Sequence, residues 1–236
     1  LKKRGSFIKF VLTLSCALTV ALLLRTFLFE PFHIPSGSMK STLLVGDYVF
    51  VSKYSYGYSR YSIPFSLPII TGRIFSKLPK AGDVVVFRPP KQPNLHYIKR
   101  VIGVPGDKIQ LINGFLYVNG NKMKYEKLGD FIDDDGKVIT RYLETLYNGN
   151  THEVLDEVQD SSLDNTPLYK VPEGHIFVLG DNRDNSRDSR FITDVGYIPL
   201  ENVVGKAHVV ALSFKKSEIR FLPFAIRLDR IWHTIS

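Results

Sequence analysis

Residues 10–29 read Phe-Val-Leu-Thr-Leu-Ser-Cys-Ala-Leu-Thr-Val-Ala-Leu-Leu-Leu-Arg-Thr-Phe-Leu-Phe, and no other stretch of the chain is so long and apolar. A helix rises about 1.5 Å per residue, so this segment reaches roughly 30 Å, the hydrocarbon thickness of a bilayer. Its one charge, Arg25, lies near the far end, where a long side chain can snorkel to the headgroups. Lys2, Lys3, Arg4 and Lys9 stand in front. Positive charge keeps that end in the cytoplasm, which puts everything after about residue 30 outside. A cleaved leader wants small residues just after the apolar run. Here the run is followed by Glu30-Pro31-Phe32, so an uncleaved anchor is expected.

The formal charge is +8. Part of it sits at the two ends, beside apolar residues, which fits an anionic lipid surface better than nucleic acid. No zinc-finger spacing or helix-turn-helix pattern is present, and no nucleic-acid partner is expected. Cys16 is the only cysteine, so internal disulfides and thiolate metal clusters are excluded.

Beyond the anchor the patterning is β. Val49-Phe50-Val51, Asp83 to Phe87, Gly114 to Val118, His175 to Leu179 and Val203 to Leu212 are short runs rich in β-branched or aromatic residues, mostly bounded by Gly, Asp or Pro. The expected fold is mainly β: an N-terminal transmembrane helix, then an extracytoplasmic domain of antiparallel β-sheets with an inserted lobe. Residues 54–80 read as an exposed loop. The expected divisions are a basic cytoplasmic N-terminus (1–9), the anchor (10–29), a β core (30–120 and 171–214), an acidic inserted lobe (121–170) and a basic amphipathic tail (215–236). Asp133-Asp134-Asp135-Gly136 marks a turn in the lobe. In the tail, Phe221 to Ile235 suits a short amphipathic helix or a strand.

Three runs carry candidate chemistry. In Pro35-Ser36-Gly37-Ser38-Met39, Ser38 is a candidate nucleophile. Such a serine needs a base and donors for the oxyanion that forms. Gly37 permits a tight turn, and the Ser36 hydroxyl is one candidate donor. In His96-Tyr97-Ile98-Lys99-Arg100, neighbouring strand side chains face opposite ways, so only one of Lys99 and Arg100 is expected to point inward. Lysine can be desolvated and made neutral whereas arginine cannot, so Lys99 is the candidate base; the plainer reading is a pair of surface cations guarding a sheet edge. In Gly180-Asp181-Asn182-Arg183-Asp184-Asn185-Ser186-Arg187-Asp188-Ser189-Arg190, alternating acids and arginines can form a self-satisfying hydrogen-bonded platform. The run lacks the Gly and Glu of a calcium loop, and no metal is expected. His33 lies five residues from Ser38, but nothing in its surroundings marks it as a triad base.

Taken in order, these runs resemble the bacterial type I signal peptidases, the Ser/Lys dyad family. The likeness is specific in Ser36-Gly37-Ser38-Met39, in Tyr97-Ile98-Lys99-Arg100 with Pro105-Gly106-Asp107, and in 180–190; it is poor across 54–80 and 121–170. The resemblance implies Ser38 as nucleophile and Lys99 as general base. It implies the Ser36 hydroxyl and the Ser38 amide as oxyanion donors, Ser186 as the hydroxyl that orients the lysine, and Asp181, Arg183, Asp188 and Arg190 as the scaffold behind. No cofactor is implied. The implied activity is removal of signal peptides from exported preproteins after small residues, at Ala-x-Ala sites, through an acyl-enzyme. The implied setting is the bacterial inner membrane, with lipid and the secretion translocon as neighbours. Ser41 stands where the family usually has Pro, and Phe191-Ile192-Thr193-Asp194-Val195-Gly196 replaces the usual Phe-Trp-Gly. A membrane-tethered β domain without an active site explains the anchor and the charge, but not these three runs together. A self-cleaving Ser/Lys regulator of the repressor kind is disfavoured by the anchor and by the lack of a DNA-binding segment.

Overall fold

The computed structural model describes residues 2–63, 66–133, 136–158, 161–216 and 224–235. Helix α1 (Lys2–Phe27) carries an apolar stretch, Ser6–Phe27, of which none is buried inside the protein. It is the one α-helix among the described residues. Apolar all round and uncovered, it has the character of a span rather than of a core helix. It ends at Phe27, two residues before the apolar run does, because Phe29 already belongs to a strand.

That strand, β1 (Phe29–His33), pairs antiparallel with β2 (Asp47–Ser52). A two-stranded ribbon follows, β3 (Tyr58–Ser59) with β4 (Arg73–Ile74). It gives structure to part of the stretch expected as a loop. Next come β5 (Val84–Phe87) and β6 (Tyr97–Gly103), then the meander of β7 (Lys108–Ile112), β8 (Phe115–Val118) and β9 (Asn121–Lys122). The chain then leaves to form a separate three-stranded sheet of β10 (Lys124–Ile132), β11 (Val138–Thr145) and β12 (Thr151–Asp156). It returns through β13 (Tyr169–Lys170), which pairs with β7. Thus the two ends of the 121–170 stretch belong to the β7–β8 sheet, and the middle forms a sheet of its own.

β14 (His175–Leu179) lies beside β6, and β15 (Ile198–Pro199) beside β14. The long β16 (Val203–Lys216) bridges β2 and β5, completing the order β1-β2-β16-β5-β6-β14-β15. In the tail, β17 (Phe224–Ile226) and β18 (His233–Thr234) both pair with β16. The described tail is therefore strand with a short 3₁₀ turn at Leu228–Arg230, not an amphipathic helix, and residues 221–223 lie outside the described residues. Arg227 and Arg230 hold the tail to the β domain: Arg227 donates to the carbonyl of Val45, and Arg230 pairs with Asp47 at 2.6 Å.

One apolar cluster packs Met39 and Leu43 against Val49, Val51, Val84, Val86 and Ile98. Each buried side chain of that size contributes about 1.5–3 kcal/mol. The loop that carries Ser38 is thereby anchored in the core from its far side.

Candidate active site

Ser38 is buried, and it lies in a loop held by the fully buried Ile34 and Met39. Short backbone bonds, Lys40 N to Gly37 O (3.1 Å) and Leu43 N to Met39 O (2.7 Å), curl the segment into a turn. Lys99 reaches it from the middle of β6: its Nζ lies 2.6 Å from Ser38 Oγ and 2.9 Å from the Ile98 carbonyl. The lysine is only 4% exposed. Burial disfavours its charged form and lowers its pKa to about 8, with Asp188 and Asp181 pulling weakly the other way. An amine that titrates there is partly neutral near pH 7, and its lone pair can accept the Ser38 proton across the same 2.6 Å contact.

Ser36 Oγ stands 3.5 Å from Ser38 Oγ. The Ser38 amide donates to no backbone acceptor among the described residues, so it is free to meet a ligand. These groups open on a cleft of about 710 Å³ whose walls include Phe32, Ile34, Val86, Tyr97, Ile98 and Phe191. It is largely apolar, with Ser38 and Lys99 at its lining and His96 at one side. His96 stacks edge-on against Phe32 and is held below its ordinary pKa, first by burial and then by Arg88.

Arg100 departs from expectation. Lys99 and Arg100 do face opposite ways, yet both are buried, Arg100 to 1%. The reason is that β6 is a central strand, between β5 and β14, and the sheet is covered on both faces. The guanidinium donates to both Asp181 carboxylate oxygens (2.9 and 2.7 Å) and to the Gly82 carbonyl (2.8 Å). Asp181 also accepts from Thr42 Oγ1 at 2.5 Å. Burial alone would raise the Asp181 pKa; Arg100 outweighs it and holds the carboxyl below the usual range.

The 180–190 platform is satisfied only partly from within. Asp188 and Arg190 pair with each other, at 2.9 Å for both contacts, and the Asp188 carboxyl is likewise held low by Arg190 against its burial. Asp181 pairs with β6 instead, and Arg183 pairs with Glu144 of β11, at 2.9 and 2.7 Å. Ser186 is buried, and its hydroxyl lies against the Asp188 carboxylate and helps to hold it low. It packs over Gly180, where a Cβ would lie 2.5 Å from the Ser38 carbonyl oxygen and closer still to Ser186 Oγ. Glycine at 180 is thus required by close approach, not by its backbone angles.

Three residues of this centre escaped the sequence reading. Glu144 lies in the lobe and pairs with Arg183, with the Tyr125 hydroxyl and with His152 at 3.1 Å. Thr42 caps Asp181. Asn182 donates its backbone amide to the Ser38 carbonyl (3.1 Å) and its Nδ2 to the Gly37 carbonyl (3.2 Å). Nothing in the sequence marks these contacts, since each joins positions far apart in the chain.

A hydroxyl and a buried amine in contact at the side of an apolar cleft are the parts of a hydrolase, and comparison with known proteins gives the class as serine peptidase. A family model described as "Signal peptidase, peptidase S26" matches residues 7–212. The chain belongs to that family. Its relatives include the signal peptidase I of Rickettsia akari, 46% identical over 94% of this chain and 91% of the relative. That of Rickettsia felis is also 46% identical, over 83% and 76%. A crystal structure of a signal peptidase I from Enterococcus faecalis aligns at 27% identity over 55% of this chain and 97% of that one, with a TM-score of 0.33.

Proposed function

We propose that this chain removes signal peptides from exported preproteins, with Ser38 as nucleophile and Lys99 as its general base. The observation that carries the reading is the 2.6 Å contact between Lys99 Nζ and Ser38 Oγ, with the lysine buried and its pKa lowered to about 8. Lys99 takes the Ser38 proton as Oγ attacks the scissile carbonyl carbon. The tetrahedral oxyanion accepts from the Ser38 amide and the Ser36 hydroxyl. Collapse expels the amine of the mature protein, protonated by Lys99, and leaves an acyl-enzyme. The same lysine then activates water, and hydrolysis frees the signal peptide and restores Ser38.

Cleavage falls after small residues, at Ala-x-Ala sites, as the family resemblance implies. Residues Tyr97–Lys99 of β6 pair with β5 on one side only, and a substrate strand can lie along their other edge. Ser186 supplies the hydroxyl that orients the Lys99 amine, and Asp181, Arg183, Asp188 and Arg190 form the scaffold behind it. Strands from 30–120 and 171–214 form the catalytic core, with 121–170 inserted. Helix α1 crosses a bacterial inner membrane with its N-terminus in the cytoplasm; the β domain then sits against lipid on the far side, where the translocon delivers substrates.

The test is incubation of the detergent-solubilised chain with a preprotein carrying an Ala-x-Ala site, beside Ser38→Ala and Lys99→Ala. Cleavage at that site by the wild type alone is the expected result. Equal cleavage by either folded variant would remove that residue from the mechanism.

A further inference from the structure

The carbonyl of Gly37 and the amide of Ser38 are two ends of one peptide unit. In a trans peptide they point in opposite directions, so a partner that holds the carbonyl also aims the amide. The Gly37 carbonyl has two such partners: Lys40 N at 3.1 Å, within the turn, and Asn182 Nδ2 at 3.2 Å, from 145 positions away. Asn182 also holds the next peptide unit, through its own amide on the Ser38 carbonyl at 3.1 Å. The two peptide planes that meet at the Ser38 Cα are therefore both pinned by one residue. Two planes fix the backbone angles of the residue between them, and so the direction of its N–H.

Asn182 is itself 1% exposed and held from behind. Leu155 of β12 donates to the Asp181 carbonyl (2.8 Å) and accepts from the Arg183 amide (2.9 Å), bracketing Asn182 in a one-residue parallel bridge. The Arg183 guanidinium is fastened by two bonds to Glu144 of β11. The separate three-stranded sheet thus backs the residue that grips the nucleophile's backbone. It also sends its hairpin toward the same segment, where Asp133 pairs with Lys40 at 3.3 Å.

We infer that Asn182 is a positioning residue that aims the Ser38 amide at the oxyanion, and that the β10–β12 sheet holds it in register for that task. The inference rests on the reading of Ser38 as nucleophile and of its amide as oxyanion donor. A merely structural asparagine would affect how much protein folds, but not what the folded protein does. An aiming asparagine affects the transition state more than the ground state, because the oxyanion exists only there.

The experiment uses the full chain in detergent and compares wild type, Asn182→Ala and Ser38→Ala. It measures kcat and KM on a preprotein, and binding of two ligands. One is a peptide aldehyde ending in Ala-x-Ala, which forms a tetrahedral adduct with the serine; the other is the corresponding product peptide with a free carboxylate. For Asn182→Ala, kcat is expected to fall about ten- to a hundredfold, with KM within about twofold. Aldehyde affinity should weaken by the same factor as kcat, product affinity should stay level, and the apparent pKa of the rate should remain near the wild-type value. Folded Asn182→Ala with kcat within twofold of wild type would overturn the inference, as would equal weakening of both ligands. If Asn182→Ala does not fold, Asn182→Asp carries the test, since an ionised carboxylate of the same shape cannot donate to the Gly37 carbonyl. If instead Ser38→Ala binds the aldehyde as tightly as wild type, the nucleophile assignment falls and this inference falls with it.

Discussion

If Lys99 is the general base, as proposed, raising the pH from 7 to 9 should increase kcat/KM about tenfold, because the amine must be neutral to accept a proton. Burial brings its pKa to about 8. The neutral fraction is then about 9% at pH 7, half at pH 8 and about 91% at pH 9. With the ordinary value of 10.5 it would be only about 0.03% at pH 7, so burial is worth roughly 300-fold in active enzyme there. The assay is initial-rate cleavage of a preprotein at substrate levels well below KM. The preprotein should carry no group near the cleavage site that titrates between pH 6 and 10. Under those conditions the profile reports the free enzyme. An ascending limb centred near pH 8 is expected. A rate that is flat from pH 6 to 9, or that climbs with a midpoint above pH 10, would refute the idea that this amine is the base.

The same burial carries a stability cost. A lysine whose pKa falls on folding from 10.5 to about 8 costs the native state about 3 kcal/mol at pH 7. The unfolded chain binds the extra proton, so this cost is full below pH 8, fades between pH 8 and 10.5, and is gone above. Lys99→Met should therefore be inactive yet raise Tm at neutral pH, with the gain vanishing near pH 11; thermal scans at the two pH values check it. Gly180→Ala should lower kcat at least tenfold, because its Cβ must push both the Ser38 carbonyl and Ser186 aside; initial-rate cleavage by the folded variant checks it, and kcat within twofold of wild type would refute it. Glu144→Ala should destabilise by about 3–5 kcal/mol, since it strands the buried Arg183 guanidinium; denaturant unfolding measures it.

What could be read from the chain was what local pattern encodes. The apolar run gave the helix because span length and lack of charge are one-dimensional properties. Ser38 and Lys99 stood out because each sits in a short run with its neighbours, and their pairing came from the resemblance; the 2.6 Å contact fits that pairing. Arg100 was misjudged because alternation along a strand reveals two faces but not whether both are covered. The strands of the lobe were hidden for a related reason. In β10 every residue is exposed or half-buried, so no buried apolar face announces a sheet. Asn182 and Glu144 act through partners fixed only by the tertiary fold, and no spacing rule points to them. The tail carried basic residues at helical intervals, but β16 offered an open edge, and pairing with it satisfies more backbone than a short isolated helix would.

The junction between anchor and domain has no slack. The amide of Leu28 still closes the last helical turn onto Leu24, and β1 begins at the next residue. Glu30 then takes Arg25 on one side (2.6 Å) and the buried Lys53 on the other (2.8 Å), while Tyr58 donates to the Phe27 carbonyl (2.8 Å). Ten residues separate the end of the helix from Ser38, five of them locked in strand β1. An enzyme on a loose tether searches a volume, but one mounted this way works at a single elevation. Whatever height α1 gives Phe27, the Ser38 loop stands at a fixed offset from it.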